Sequence, residues 1–450
     1  MERKFTIKDV MVTGFALFAM FLGAGNLIFP PNIGIHAGRL YPIATLGFLF
    51  TGIAMPLLGI IATTNTKGSM LNFTGIVSKN FALIFNTLIL MCIGPFLAIP
   101  RTAATTYEIG IAPIFGELNW GTVLGMPLSR VVVSLVYFTL TYILVLRPSK
   151  VIDIIGQYFT PVLLILLLTL IIKGIINPIG TPGEPLVPDP FGMGFREGYQ
   201  TMDAIGSFAM AGVAIMSIKA KLTDEKKIQK ATIGSAIIAA LGLFIVYGGF
   251  IYLGATGSIQ FKDIARTEAT IKLVEAIGST FGRTLLSISM CFACLTTSIG
   301  LMTTIANTFS EMSNGKIKYK FTVTAVAIIS FFLSVKGVNN IIKLSVPILS
   351  VLYPVAIVLI LLNLFRHKMK RRTVYIGGAY GALVLGILYG VAAINENLSI
   401  IQNFLYKLPL GKDGFAWVFT AIIGMVIALI LDRTVLKNNE KLDIANMNLA

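Results

Sequence analysis

The apolar segment FALFAMFLGAGNLIFPPNIGIHAG (Phe15–Gly38) decides how this sequence is read, because it could cross a bilayer yet contains helix-breaking residues. The GAGN motif (Gly23–Asn26) falls at mid-membrane depth, and each of its glycines lowers helix propensity by about 1 kcal/mol relative to alanine. Pro30 and Pro31 follow closely. Irregular backbone at this depth is tolerated only where it borders a protein-enclosed cavity. The sequence therefore predicts an unwound helix near Gly23–Asn26, beside such a cavity.

The composition indicates an integral membrane protein with many spans. Of its 450 residues, 56% are hydrophobic and only 12% are charged. A hydrocarbon core about 30 Å thick needs about 20 apolar residues per helix, and about twelve such segments occur. Lipid-exposed backbone must satisfy its hydrogen bonds within the segment, which favours an all-α fold. No connection is long enough for a soluble catalytic domain, and the absence of a Walker A motif argues against an ATP-driven pump.

We predict a single polytopic domain over residues 1–450. The predicted spans are Val10–Ile35, Leu40–Ala62, Phe81–Tyr107, Leu128–Leu146, Val151–Ile176, Tyr199–Lys219, Ala231–Gly254, Thr284–Glu311, Phe321–Val335, Ile341–Phe365, Val374–Ile394 and Phe415–Leu431. The connection Pro178–Gly198 is rich in proline and glycine, which is typical of an irregular loop over the outer mouth. In Ser258–Gly282 apolar residues recur at helical spacing, which indicates an amphipathic lid.

The charge distribution predicts the orientation in the cell membrane. The net charge is +16, and most of the 36 lysines and arginines fall in segments that are cytoplasmic if the N-terminus is inside. Because positive charge is enriched in cytoplasmic loops, we expect both termini, including a tail over residues 432–450, to be cytoplasmic. The basic start of the chain runs into an apolar stretch with no usual cleavage site, so we interpret it as a retained first span.

A second glycine-containing segment predicts an internal repeat. The sixth span carries DAIGSFAMAGVA, in which Gly206, Ser207 and Gly212 lie at a depth that corresponds to the first break. Paired interrupted spans in matching positions point to the binding site of a secondary transporter. The alternative is that these glycines only serve helix packing. We predict inverted repeats of five spans over about 10–177 and about 199–365, followed by two extra helices over about 374–431.

Three motifs resemble a known transporter family along essentially the whole chain. They are GAGNLIFPPNIGIHAG (Gly23–Gly38), IGPFLAIPRTAATTYEIG (Ile93–Gly110) and FACLTTSIGL (Phe292–Leu301). They are similar to the branched-chain amino acid:cation symporters, the LIVCS family of the amino acid/polyamine/organocation superfamily. The resemblance implies a LeuT-type fold with broken helices one and six, and import of leucine, isoleucine and valine with Na⁺ or H⁺.

The predicted substrate site lies at the two interruptions. Free backbone N–H groups at the start of a helix and the positive end of its dipole suit a carboxylate. Freed carbonyls near Gly206–Ala209 would receive the ammonium, and Phe208 could close the pocket or only pack in the core. The Asn26 side chain could hold a second cation or stabilise the unwound turn. The candidate residues are Gly23, Ala24, Gly25, Asn26, Gly206, Ser207, Phe208, Ala209 and Gly212.

A cation site is predicted beside the first break. The carbonyls freed at Ala19–Leu22 are hard oxygen donors of the kind that hold sodium in broken-helix transporters. The resemblance implies that the site comprises the carbonyls of Ala19, Leu22 and Cys294 with the hydroxyls of Thr297 and Ser298. The alternative is that the two hydroxyls bond the preceding helical turn, as they often do in membrane helices.

Three ionisable residues within spans are further candidates, because charged groups are costly there. Arg101 and Glu108 are seven residues apart on the third span, and Asp203 is expected in the outer half of the sixth. They could form an outer gate, or Glu108 could couple proton entry. Alternatively, Arg101 and Glu108 could be an ion pair near the outer surface.

The sequence thus predicts a secondary active symporter for branched-chain amino acids that works by alternating access, with Na⁺ favoured as coupling ion. The alternatives are another small neutral amino acid and proton coupling. We expect no enzymatic activity, since no catalytic constellation is evident, and no channel filter or ring of charge occurs. Expected partners are the substrate, a monovalent cation and the lipid bilayer, without nucleic acid, a protein partner or any cofactor besides the coupling ion.

Overall fold

The computed structural model describes residues 6–66, 68–116, 120–123, 125–146, 155–369, 371–394, 399–411 and 413–432. Over these residues each predicted span coincides with helix, which confirms the all-α prediction. In the described part of the chain, eight helices are long and apolar enough to cross a membrane, or nine if a bent pair in span six counts as one. Two shorter apolar helices form spans nine and twelve, and a break divides span one. Residues 151–154 of span five and the tail from residue 433 lie outside the described residues.

The first five spans contain several local interruptions. Their helices are α1 (Ile7–Phe21), α2 (Ala24–Ala37), α3 (Tyr41–Leu49), α4 (Met55–Thr64), α5 (Met70–Thr74), α6 (Lys79–Met91), α7 (Ala98–Thr105), α8 (Ala112–Phe115), α9 (Leu128–Val145) and α10 (Thr160–Ile176). A 3-10 turn, Gly38–Leu40, separates spans one and two. The π-helical turns are Phe50–Ala54, Cys92–Phe96, Thr106–Ile111 and Ile155–Phe159. A small antiparallel hairpin pairs β1 (Thr122–Val123) with β2 (Met126–Pro127), with Val123 opposite Met126.

The remaining spans begin with a bent pair. Span six is α11 (Pro190–Tyr199) and α12 (Asp203–Lys219), which bend by 41°. The later helices are α13 (Glu225–Thr256), α14 (Arg266–Met312), α15 (Tyr319–Ser334), α16 (Val338–Leu364), α17 (Arg372–Ile394), α18 (Ser399–Lys407) and α19 (Ala416–Leu431). Asp9 near the start of α1 and Lys221 just beyond α12 form an ion pair of 3.1 Å. Both therefore lie at one end of the bundle, which we call the N-terminal face.

The break in span one is shorter than the sequence predicts. Only Leu22 and Gly23 leave the helical conformation, and Ala24 already begins α2. Gly23 is extended, with φ −99° and ψ −165°. A Cβ atom at Gly23 would lie 3.0 Å from Cγ2 of Thr297 in span eight. The glycine therefore permits the close approach of span eight to the break.

The predicted position of the break in span six is wrong. The helix is interrupted at residues 200–202, where Met202 adopts a left-handed conformation with φ 65°. Gly206, Ser207 and Gly212 lie within the continuous helix α12. A Cβ atom on Gly59 of span two would lie only 2.0 Å from Oγ of Ser207. This part of span six therefore packs tightly against span two instead of unwinding.

The two long connections differ from each other. Pro178–Gly198 is not irregular throughout, because α11 begins at Pro190 with the Asp189 side chain accepting a hydrogen bond of 2.9 Å from the Gly192 N–H. This capping arrangement starts the helix despite the many glycines. The helix predicted within Ser258–Gly282 is confirmed. It forms the first part of α14 and meets span eight at a kink at Ser279, which has φ 51°.

Candidate transport site

The two helix breaks meet at one central cavity. This cavity has a volume of about 20 Å³, which is room for about one water molecule. The central site is thus closed to anything of substrate size in this conformation. The cavity is lined by Met20, Phe21, Gly23, Ala24, Asn26, Ile93, Ala98, Arg101, Thr102, Thr201, Met202, Asp203, Met210, Thr297 and Leu301.

A buried hydrogen-bond network joins the two breaks. Nδ2 of Asn26 donates to Oδ2 of Asp203 at 2.7 Å and also to the Tyr247 hydroxyl. The Tyr247 hydroxyl in turn donates to the same carboxylate oxygen at 3.2 Å. The sequence predicts Asp203 in the outer half of span six, but Asp203 is the first residue of α12, on the N-terminal-face side of the break. The Asn26 amide therefore connects the start of α2 to the start of α12.

Arg101 lies beside the same breaks. Its guanidinium Nη1 donates to the Gln200 carbonyl at 2.8 Å, and its Nε has no hydrogen-bond partner among the described residues. The guanidinium also lies 5.4 Å from the centre of the Phe29 ring. A Cβ atom on Gly25 would be 2.8 Å from Nη2 of Arg101. Glycine at this position therefore lets the guanidinium approach the first turn of α2.

Of the alternatives for Arg101 and Glu108, the structure contradicts the ion pair between them. The Glu108 carboxylate lies 3.4 Å from Nη2 of Arg130 and accepts a hydrogen bond of 3.1 Å from the Val338 N–H. The π-helical turn that begins at Thr106 separates the two residues and changes their relative rotation around span three. Glu108 is absent from the lining of the central cavity, so the structure separates it from Arg101 and Asp203.

The structure divides the predicted cation ligands into two groups. The hydroxyls of Thr297 and Thr296 donate to the Ala19 carbonyl at 3.1 and 3.2 Å. Thr296 also donates to the Ala293 carbonyl at 3.0 Å, so this second carbonyl lies nearby. Leu22 directly follows the last residue of α1. The structure thus brings Ala19 and Thr297 together, as predicted, and adds Thr296 to the candidate ligands. The sequence prediction missed Thr296, although it directly precedes Thr297.

Ser298 and the Cys294 carbonyl point elsewhere. The Tyr137 hydroxyl of span four lies 2.7 Å from the Cys294 carbonyl oxygen and 2.8 Å from Oγ of Ser298. Oγ1 of Thr102 is 2.7 Å from Oγ of Ser298. Successive residues of a helix point about 100° apart, so Thr297 and Ser298 face different neighbours. The prediction that Ser298 and Cys294 join Ala19 is not supported by these contacts.

Several residues predicted on span six lie away from the central cavity. The Phe208 ring is fully buried and stacks on Phe73 with ring centres 4.5 Å apart. Phe208, Ala209 and Gly212 line a different cavity of about 470 Å³, which also contacts Lys219 at the N-terminal face. Gly206 donates its N–H to the Met202 carbonyl within the first turn of α12. None of their positions fits the predicted ammonium site.

Comparison with known proteins identifies the family. The model of the family described as Branched-chain amino acid transport protein matches residues 6–435. The chain is 38% identical over 440 residues to the branched-chain amino acid permease BraB of Bacillus subtilis, covering 96% of this chain and 97% of that protein. It is 33% identical over 440 residues to the permease BrnQ of the same organism, covering 96% and 98%.

A solved structure shows the same fold. It is Mhp1, a nucleobase-cation-symport-1 family transporter in a closed conformation with bromovinylhydantoin bound, and its TM-score is 0.58. The sequence identity is 15%, and the match covers 95% of this chain and 92% of that one. The predicted LeuT-type fold is therefore confirmed. With the family match over nearly the whole length, the chain belongs to the branched-chain amino acid transport protein family.

Proposed function

We propose that this protein imports leucine, isoleucine and valine together with a cation, by alternating access to the central cavity. The observation that carries the proposal is the meeting of both helix breaks at one buried, mixed polar and apolar cavity. Broken helices place free backbone groups at such a site. The permease names of the relatives supply the substrate class.

The lining of the cavity suits an aliphatic amino acid. The first turn of α2 presents free N–H groups and the positive end of its dipole to a carboxylate. Ile93, Leu301 and the two methionines Met20 and Met210 supply apolar surface for the side chain. Methionine is flexible, so it can withdraw when the cavity opens. One methylene is worth about 1 to 3 kcal/mol, so we expect similar affinities for the three branched substrates.

For the cation, we propose a site between the end of α1 and span eight. The proposed donors are the carbonyls of Ala19, Leu22 and Ala293 with the hydroxyls of Thr296 and Thr297. This set keeps the predicted carbonyls of span one and shifts the span-eight contribution by one residue from Cys294 and Ser298. Hard oxygen donors of this kind favour Na⁺. Protons remain the second candidate, because Asp203 is a buried carboxylate at the cavity.

Alternating access requires a group of spans that moves together. Spans one and seven touch through their backbones, since a Cβ atom on Gly34 would lie 1.9 Å from the Ile251 carbonyl oxygen. Span six is also close to span two, where the Ser207 side chain packs against Gly59. We therefore propose that spans one, two, six and seven rock as a unit against the others. Cation binding between spans one and eight would stabilise the outward-open state.

Replacing both Thr296 and Thr297 with alanine should raise the cation concentration for half-maximal leucine uptake at least tenfold, which corresponds to about 1.4 kcal/mol. Ser298→Ala should change it less than about twofold, because Ser298 faces spans three and four rather than Ala19. The measurement is uptake of labelled leucine into proteoliposomes at varied Na⁺. An equal effect of the two changes would contradict the proposed ligand set.

The same vesicles test the coupling ion. Uphill leucine uptake should occur with an inward Na⁺ gradient and should be absent with an inward proton gradient alone. Uptake driven only by protons would indicate that Asp203, rather than the proposed Na⁺ site, couples transport to the ion gradient. Failure to accumulate leucine with either gradient would overturn the substrate assignment while leaving the fold unchanged.

A further inference from the structure

Two ionisable side chains of opposite kind, Arg101 and Asp203, are buried at the central cavity, and no ion pair among the described residues includes either of them. Arg101 is only 2% exposed and Asp203 only 3%, and both residues line this cavity. Their hydrogen bonds are to neutral groups: the Gln200 carbonyl for Arg101, and Asn26 and Tyr247 for Asp203.

Keeping the charged forms of these two side chains buried costs free energy unless a group of opposite charge binds each of them. Burying a charge is strongly unfavourable without a partner of opposite sign, and neutral hydrogen bonds compensate only in part. Within the residues that the structure describes, the Nε of Arg101 also lacks a hydrogen-bond partner. Arg101 lies on span three and Asp203 at the start of α12, and both line the cavity without forming an ion pair with each other. A molecule with one negative and one positive end would pair with both.

We infer that Arg101 and Asp203 hold the two charged ends of a zwitterionic substrate. The carboxylate is placed at Arg101 and the first turn of α2, which Gly25 brings together, and the ammonium at the Asp203 carboxylate. The inference rests on the proposed transport of amino acids and deepens it. It replaces the ammonium site predicted at Gly206–Ala209, because those carbonyls lie within continuous helix.

With this arrangement, a ligand needs both the α-carboxylate and the α-ammonium group of an amino acid in order to bind. The 2-oxo acid of leucine keeps the carboxylate and the branched side chain but leaves Asp203 without a cation. The corresponding amine, isopentylamine, keeps the ammonium but leaves Arg101 without an anion. Each analogue therefore leaves one buried charge unpaired, a loss that commonly costs at least tenfold in affinity. The carrier should thus reject keto acids and amines of the right shape.

The test measures binding to the full-length purified carrier by ligand-induced thermal stabilisation, which follows mass action and needs no transport. Leucine, its 2-oxo acid and isopentylamine are titrated against the wild type, Asp203→Asn and Arg101→Gln. For the wild type we expect both analogues to bind at least tenfold more weakly than leucine. Asp203→Asn should weaken leucine at least tenfold and leave the 2-oxo acid unchanged or tighter. Arg101→Gln should weaken leucine but not the amine.

Glu108→Gln is the matched control, since Glu108 is an ionisable residue on the same span whose carboxylate faces Arg130. All three ligands should bind this variant as they bind the wild type. If a charge-removing variant does not fold, the comparison of the three ligands on the wild type still decides. Equal wild-type affinity for leucine and either analogue would overturn the inference, as would equal weakening of leucine and the 2-oxo acid by Asp203→Asn. Absence of leucine binding and uptake would instead overturn the proposed function.

Discussion

Replacing Gly254 with alanine should remove most of the folded carrier, whereas Gly248→Ala on the same helix should be tolerated. A Cβ atom at Gly254 would lie 2.0 Å from the Pro31 carbonyl oxygen, a distance that real contacts do not reach. Both groups belong to helix backbones, so neither can turn away as a side chain would. Overpacking usually costs about 1 to 3 kcal/mol, and with backbone on both sides we expect at least about 3 kcal/mol.

The Gly248 control separates this effect from helix propensity. A Cβ atom at Gly248 would meet no described atom within 4 Å, so alanine there should be neutral or should add up to about 1 kcal/mol of stability. The measurements are the yield of monodisperse protein and its thermal unfolding in detergent. A difference of this size changes cellular abundance several-fold. Equal yield and melting temperature for the two variants would contradict backbone contact between spans one and seven.

Breaking the ion pair between Glu197 and Arg266 should lower the rate of leucine uptake roughly 30-fold, equivalent to about 2 kcal/mol. The pair is bidentate, with both oxygen–nitrogen distances at 2.8 Å. It joins the last turn of α11, next to the break in span six, to the first turn of α14. The Arg266 guanidinium also lies 5.8 Å from the centre of the Phe29 ring, the same ring that Arg101 approaches.

The size of the effect follows from partial burial. The side chains of Glu197 and Arg266 are 14% and 34% exposed, so the pair lies between exposed pairs worth about 0 to 1 kcal/mol and buried ones whose disruption costs about 3 to 5 kcal/mol. We expect Glu197→Gln to loosen the closed end of the central site and the exchange Glu197→Arg with Arg266→Glu to restore part of the activity.

A control on the same helix is available. Lys272 and Glu268 form an ion pair of 2.8 Å with side chains 47% and 55% exposed, so Lys272→Gln should change uptake by less than about twofold. The readout is the initial rate of labelled leucine uptake into proteoliposomes. If Glu197→Gln and Lys272→Gln reduce this rate equally, the Glu197–Arg266 pair has no special role in closing the site.

The break in span one was predictable because its signal is local. The two glycines and Asn26 in an apolar stretch, followed by Pro30 and Pro31, lower the local helix propensity, although all of them except Gly23 lie within α2. The structure narrows the break to Leu22 and Gly23 but keeps it at the predicted depth. One of the family motifs covers this same segment, so the helix-breaking residues and the family resemblance both predict a break in span one.

The break in span six was not predictable in the same way. The interruption occurs at Gln200, Thr201 and Met202, which include neither glycine nor proline. The glycines that looked like a break pack within α12 instead, and Ser207 is in close contact with Gly59. Glycine in a membrane helix signals either unwinding or close packing, and only the neighbouring helix decides between them.

The sequence alone determined the membrane class, the positions of the spans and the break in span one, since apolar length and helix-breaking residues act locally. Tertiary structure decided which polar groups meet. It directs Thr296 and Thr297 toward Ala19, turns Ser298 toward Tyr137, and separates Glu108 from Arg101. These contacts depend on the rotation of each helix about its axis. That rotation is set by packing against distant segments, so residues adjacent in sequence face different sites.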